Sequence, residues 1–305
     1  MTRNNIKIIT RDYHAGISPS VLDAIPNNVI IVEKNNYKWL FNYEWSEVNI
    51  IIFLGHDFLS FLWDRKKKIK YWKDLSVIKI VWCFERIRCF VDEWRKKSLQ
   101  WFENIKEFAD HIFVTDEEDF RGIENVKFLP QWASPRFVNK KPFGEKIDQF
   151  LFTGQLGTVG YERRTELLER IRNDPLLSKY CVISNSKRIF TWDYYIDNII
   201  KYKYLINPIG NLISFNTRAY ETILSGNVLF QQIDDRFQIH RKMFKDWEEI
   251  IYFTTFEEFK EKFFSVINSK DAGLKIHLNT KKIVNDHIVY PRLDYILRAI
   301  GIGVC

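Results

Sequence analysis

The chain has 305 residues, of which 46% are hydrophobic and 28% charged, with a formal net charge of +7. That is enough apolar material for the cores of two moderate domains, and it excludes a disordered, collagenous or low-complexity chain. The most apolar stretch, 49–63, is broken by Gly55, His56 and Asp57 and is too short and polar to span a bilayer, and the four cysteines, none in a C-x-x-C pair, exclude a disulfide scaffold and a zinc-binding module.

In chain order, short runs rich in Ile, Val and Phe alternate with amphipathic stretches, the signature of strands and helices over a parallel sheet. The first half predicts strands at 6–10, 29–33, 48–54, 77–83, 111–115 and 126–129, and helices at 19–24, 58–65, 92–108 and 116–120. The segment 130–146 carries Pro130, Pro135, Pro142 and Gly144 among charges and reads as a linker. A second series follows, with strands at 149–152, 180–184, 202–207, 228–232 and 250–253. A helix at 161–172 presents Leu167, Leu168 and Ile171, and one at 256–267 presents Phe259, Phe263 and Val266. The tail 283–300 reads as helical, interrupted near Pro291. The expected domains are 1–143 and 144–282, with a helical tail, 283–305, packing back on the first. Ligands of such α/β units bind beyond the carboxyl ends of the strands, and with two units the cleft between them is the expected site.

The most informative segment is 214–226, S-F-N-T-R-A-Y-E-T-I-L-S-G, followed by a strand. Asn216 is placed to cap a helix at its N-terminus and Gly226 to end it. Tyr220, Ile223 and Leu224 share a core-facing side, while Arg218, Glu221 and Ser225 share another. The helix N-terminus offers N–H groups to a phosphate, Arg218 adds a fork of donors, and Glu221 can accept from two vicinal ribose hydroxyls. Ser225 and Gly226 would let a nucleotide approach closely. The same spacing also describes an ordinary amphipathic helix with a surface Arg–Glu pair. A second element, F-T-G-Q-L-G-T-V-G at 152–160, has the order strand, Gly-rich loop, helix start. It is neither a Walker loop nor a clean G-x-G-x-x-G, so Gly154 and Gln155 can border a phosphate or simply a plain turn. Arg163 and Arg164 at the following helix start oppose its dipole, a conflict that a bound anion resolves.

Together, F-T-G with Arg a turn later and S-x-N-x-R-x-Y-E-x-x-x-S-G before a strand resemble the GT-B glycosyltransferases, most sharply over 149–232 and closest to the group-1-like branch that includes the CgeB spore-maturation proteins. The resemblance implies an α/β GT-B fold, two Rossmann-like domains facing across a cleft, and a hexosyl- or pentosyltransferase that uses a nucleoside-diphosphate sugar as substrate without a cofactor or metal. It implies a donor site of Gly154, Gln155, Arg164, Asn216, Arg218, Glu221, Ser225 and Gly226, with Glu221 on the ribose and Arg218 or Arg164 on the departing diphosphate. The upstream acidic residue of the family's paired glutamates would fall at Ile213. Retention, the outcome usual for that pair and still the favoured one, therefore stands beside inversion.

On the acceptor side, loops after the first, third and fourth strands carry His14, His56, Asp57 and Glu85, candidate catalytic bases or positioning groups that loop-capping roles would equally explain. The expected acceptor is a glycan or lipid-linked glycan in polysaccharide biosynthesis. The basic, aromatic-flanked stretch 63–73 would touch a membrane-linked acceptor, although a solvated helical face reads the same. The polar N-terminal residues and the cysteine usage predict a cytoplasmic protein, with peripheral contact at the inner membrane face. Nucleic-acid binding, or glycosyl transfer to DNA, is the alternative class, motivated by charge and supported by no zinc-finger, RRM or helix-turn-helix signature. A GT-B-like scaffold without catalysis is a third.

Overall fold

The computed structural model describes residues 5–11, 17–57, 59–88, 91–138, 141–157, 161–185, 191–210, 215–236, 238–269 and 271–302. Contacts divide the chain into two compact units, Met1–Gln131 with Val289–Cys305, and Trp132–Ile288.

The first unit carries strands β1 (Ile6–Arg11), β2 (Val29–Val32), β3 (Ile50–Leu54), β4 (Ile78–Cys83), β5 (His111–Val114) and β6 (Lys127–Phe128). All pairings are parallel, in the order β2-β1-β3-β4-β5-β6. The run Ile50-Ile-Ile-Phe-Leu54 is buried throughout, as a central parallel strand covered on both faces requires. Helices α1 (Ile17–Ala24), α2 (Lys66–Asp74), α3 (Asp92–Lys106) and α4 (Glu117–Gly122) connect the strands. Asp116 caps α4 by accepting from the N–H groups of Glu118 and Asp119.

The helix expected at 58–65 is instead a single 3-10 turn at Ser60–Leu62, and the helix proper begins at Lys66. The cause is burial. Phe61, Leu62 and Trp63 are consecutive and all enclosed, which one helical face cannot achieve. Trp72 is also fully buried, and Lys68 is drawn inward to donate to Tyr37, Asp64 and the Phe61 carbonyl. The tryptophans of the basic stretch 63–73 are therefore core and Tyr71 is half-buried, while Arg65, Lys66, Lys67, Lys70 and Lys73 are its exposed cations.

The second unit carries β7 (Ile147–Gly154), β8 (Cys181–Asn185), β9 (Tyr202–Asn207), β10 (Val228–Gln232) and β11 (Ile251–Phe253), all parallel, in the order β11-β10-β9-β7-β8. Helices α5 (Glu162–Asn173), α6 (Trp192–Lys201), α7 (Thr217–Leu224), α8 (Gln238–Met243), α9 (Phe256–Ile267) and α10 (Ala272–Ile283) complete it. One core lies under α6 and α7 around Ile199, Leu205, Phe215, Tyr220 and Leu229. Another lies under α5 and α9 around Phe150, Ile171, Phe230, Phe259 and Phe263. The Pro-rich stretch 130–146 is no free tether, because Trp132, Ala133 and Phe137 are buried. The tail breaks at the 3-10 turn Val284–His287, upstream of Pro291. Pro291 falls in the first turn of α11 (Val289–Ala299), where its missing N–H has no helical partner to lose. Among the described residues no helix is long and apolar enough to cross a membrane.

Candidate functional site

Strand order in the second unit reverses between β7 and β9, the switch point outside whose strand carboxyl ends ligands of such sheets bind. Gly154 ends β7 and Asn207 ends β9. Arg164 comes from the first turn of α5 and Arg218 from the first turn of α7. Arg218 Nη1 donates to Asn207 Oδ1 at 3.0 Å, and Asn207 Nδ2 donates to Gln231 Oε1 at 2.7 Å. Both guanidiniums approach the Phe152 ring, with their central carbons 5.2 Å (Arg218) and 5.8 Å (Arg164) from its centroid. Arg164 also lies 4.5 Å over Tyr161. A Cβ on Gly154 would come within 2.7 Å of Arg218 Nη2 and 2.9 Å of Phe152, so only glycine leaves this guanidinium its place.

The electrostatics are one-sided. Among the described residues neither Arg164 nor Arg218 forms an ion pair, and the Nε atoms of both are buried without a hydrogen-bond partner. Burial, then the neighbouring Arg218 cation, push the Arg164 pKa down to about 9. Arg164 is a buried cation beside a second, partly buried one and has no ion pair of its own, which is costly, and an anion bound between the two would offset the cost. Asn216 occupies the N-cap position of α7 with extended backbone, but its side chain makes no capping bond and its Oδ1 is buried without a partner. With no acidic residue in the first turn, the α7 N-terminus keeps its positive end uncompensated.

Glu221, one turn further on, is buried. Its Oε2 accepts from the Tyr195 hydroxyl at 2.5 Å. Burial pushes its pKa up to about 7, against the opposing pull of Tyr195 and Arg218. Ser225 and Gly226 sit at the opposite end of α7 and are not brought to the arginines. Ser225 Oγ donates to the Glu221 carbonyl at 2.7 Å, and a Cβ on Gly226 would meet His277 at 2.9 Å. Gly226 instead serves the helix end, with φ of 65° and its N–H donated to the Ile223 carbonyl. Gln155 is exposed beside Gly154, and Ile213, Ser214 and residues 158–160 lie outside the described residues.

The first unit also reverses strand order, between β1 and β3. His56 and Asp57 follow β3, and Glu85 follows β4. His56 is fully buried, with Nε2 2.6 Å from Ser98 Oγ and Nδ1 without a partner, and burial lowers its pKa. Asp57 Oδ1 is likewise buried and unpartnered. Burial, then Asp57, push the Glu85 pKa up to about 8, which brings its titration close to neutral pH. His14 lies outside the described residues. Among the described residues no three His, Cys, Asp or Glu side chains are grouped to hold a metal ion.

Asn207, Tyr195 and Gln231 belong to the second unit's cluster without having been expected there. Asn207 had a signal, a polar residue closing an apolar strand; Tyr195 had none, since only the docking of α6 on α7 brings it to Glu221.

No protein-family model matches the sequence, and no curated protein matches it. Solved structures do. HepE of Anabaena, crystallised with UDP-glucose, superposes with a TM-score of 0.64 at 9% identity over 97% of this chain and 99% of that one. A glycosyltransferase from Rickettsia africae superposes at 0.55 and 9% identity over 98% and 99%. S. aureus TarM, crystallised with UDP among its ligands, superposes at 0.55 and 11% identity over 83% of this chain and 55% of that one. At such identities the likeness is one of fold, and the fold is that of GT-B glycosyltransferases.

Proposed function

We propose that the chain is a glycosyltransferase that takes a sugar from a nucleoside-diphosphate donor bound by the second unit and delivers it to a hydroxyl acceptor. The observation that carries this is the pair of neighbouring guanidiniums, Arg164 and Arg218, at the β7/β9 switch point, neither in an ion pair among the described residues, with Glu221 one turn along the same helix as Arg218. The diphosphate lies between the arginines at the α7 N-terminus, and the ribose hydroxyls donate to Glu221. When the anomeric carbon–oxygen bond breaks, charge grows on the β-phosphate, and the two guanidiniums stabilise it there without metal. Gly154 keeps the floor of this switch point low enough for the phosphates to reach Arg218. The leaving phosphate, so held, can accept the acceptor's proton, which favours retention at the anomeric carbon. The arrangement of Arg218 and Glu221 agrees with the group-1-like, CgeB-like motif. A glycan or lipid-linked glycan is the acceptor class proposed, supported by the exposed cations of α2, which can meet an anionic carrier or surface.

Thermal stabilisation and slow donor hydrolysis, measured across a panel of nucleotide sugars beginning with UDP-glucose, test this directly. Arg218→Ala and Glu221→Ala are expected to stay folded and to lose about 10²-fold or more in donor affinity or turnover. Undiminished binding in both variants would sink the assignment, and the anomeric configuration of the product decides the stereochemistry. Salt-sensitive nucleic-acid binding with no nucleotide-sugar binding would transfer the protein to the other class.

A further inference from the structure

We propose that Tyr195 is a positioning residue for the donor site, its hydroxyl holding the Glu221 carboxylate so that the ribose carboxylate keeps register with the phosphate-binding guanidinium of Arg218, one turn back on the same helix. The proposal rests on the nucleotide-sugar function given above and adds a residue from outside the motif helix.

Tyr195 lies in the first half of α6, where Ile196 and Ile199 anchor the helix in the core. Its ring stacks on Trp192 with centroids 5.6 Å apart and an interplanar angle of 15°. Phe137 meets it edge-on at 6.1 Å and meets Trp192 edge-on at 5.5 Å. Three mutually packed rings leave the hydroxyl little freedom of position. That hydroxyl donates to Glu221 Oε2 at 2.5 Å, and the Arg218 guanidinium acts on it electrostatically from the neighbouring helix. Burial, then the Glu221 carboxylate, hold the phenol well above its usual pKa, so the proton stays on Tyr195 and the hydroxyl acts as donor to Glu221. Arg218 in turn donates to Asn207, and Asn207 to Gln231. Hydrogen bonds thus tie Arg218 to Asn207 and Gln231 on one side, and Tyr195 to Glu221 on the other, with Arg218 acting on both Tyr195 and Glu221. The Tyr195 bond engages Oε2, which assigns the ribose hydroxyl to Oε1.

The groups acting on Glu221 can be named element by element. Tyr195 from α6 and Arg218 from α7 both favour its ionised form. Arg164 of α5 acts on Arg218. Arg136, on the 3-10 turn Pro135–Phe137, is paired with Asp193. At the far end of α7, Lys146 donates to the Ser225 carbonyl and His277 of α10 contacts the Gly226 carbonyl. His287 packs against Tyr220. Ribose hydroxyls donate to an ionised carboxylate, so donor affinity rises with pH through the Glu221 pKa of about 7. Without the Tyr195 hydroxyl the carboxylate loses a donor, its pKa moves up, and the rise in affinity moves to higher pH.

The test uses the full chain and whichever of UDP, GDP, ADP and CDP binds it most tightly. Affinity is measured from pH 6 to 9 for the wild type, Tyr195→Phe, Glu221→Gln and the double variant. Tyr195→Phe keeps the ring packing, and a melting curve for each variant confirms that it is folded. The expected result is a loss of about tenfold at pH 7 for Tyr195→Phe, with the pH midpoint displaced upward. The double variant should bind no worse than Glu221→Gln alone, because Tyr195 acts through Glu221. An unchanged pH midpoint, or losses that simply add in the double variant, overturns the proposal while leaving the donor site standing. Failure of the wild type to bind any of the four nucleotides overturns the function itself and takes this proposal with it.

Discussion

Burial and the neighbouring Arg218 disfavour the Arg164 cation in the unliganded protein, and no carboxylate forms an ion pair with Arg164 among the described residues. Desolvating a guanidinium costs several kcal/mol even after relaxation, whereas the contacts of Arg164 with Tyr161 and Phe152 return roughly 0.5–2 kcal/mol each. The balance predicts a trade of stability for binding. Arg164→Met, which keeps the packing and removes the charge, should raise the melting temperature of the unliganded protein by about 2–4 °C, equivalent to about 1 kcal/mol. The same variant should bind the nucleotide about 10²-fold more weakly. Melting curves with and without nucleotide read both halves. A variant that is less stable without ligand would show that Arg164 is a structural residue rather than a strained binding one.

At the scale of the element, α7 is where amphipathic patterning and structure part company. Periodicity assigns one face to the core through Tyr220, Ile223 and Leu224, but Ala219, Glu221 and Thr222 are buried as well. A helix of eight residues enclosed by α6, α10 and the turns at 135–137 and 284–287 has little free face, and that enclosure is invisible in a linear spacing. Strands were legible because Ile, Val and Phe runs have few other homes, as with Ile50–Leu54 and Val228–Gln232. The 58–65 stretch departs from the expected helix because its apolar residues are consecutive rather than periodic. The site divides the same way. Arg218 and Glu221 share one helix, so their spacing carries their relation, whereas Asn207 and Tyr195 meet them only through β-sheet order and helix docking. Gly226 makes the distinction measurable. With φ of 65° and His277 within 2.9 Å of an added Cβ, Gly226→Ala should lose about 1–2 kcal/mol of stability. Nucleotide affinity, measured well below the melting temperature, should stay within about twofold, because this end of α7 faces His277 and Lys146 and not the arginines. An affinity loss as large as that of Arg218→Ala would return Gly226 to the donor site.

At the scale of the whole molecule, the two units differ in how the chain builds them. The first is discontinuous, since α11 returns after residue 288 to close a hydrophobic seam against α1 and β1. Leu293 and Leu297 of α11 line a small cavity there with Ile6, Ile8 and Ile25, and Tyr290 donates to the Ala24 carbonyl at 2.6 Å. The second is one continuous stretch, Trp132–Ile288, with two cores of its own and a fully parallel five-stranded sheet. Every residue placed at the donor site, from Gly154 and Arg164 to Tyr195, Asn207, Arg218 and Glu221, belongs to it. Segment 132–288 expressed alone should therefore fold cooperatively, whereas 1–131 alone should not, because it lacks the helix that covers Ile6 and Ile8. The isolated 132–288 segment should bind the preferred nucleoside diphosphate within a few-fold of the full chain, since every residue proposed to hold the phosphates and ribose lies in it, yet it should transfer no sugar, since the candidate groups His56, Asp57 and Glu85 are left behind. Calorimetric titration of both proteins with that nucleotide reads the first expectation, and a transfer assay reads the second. A folded 132–288 segment that binds no nucleotide would show that the first unit supplies part of the donor site, and sugar transfer by the segment alone would show that the groups after β3 and β4 take no part in the chemistry.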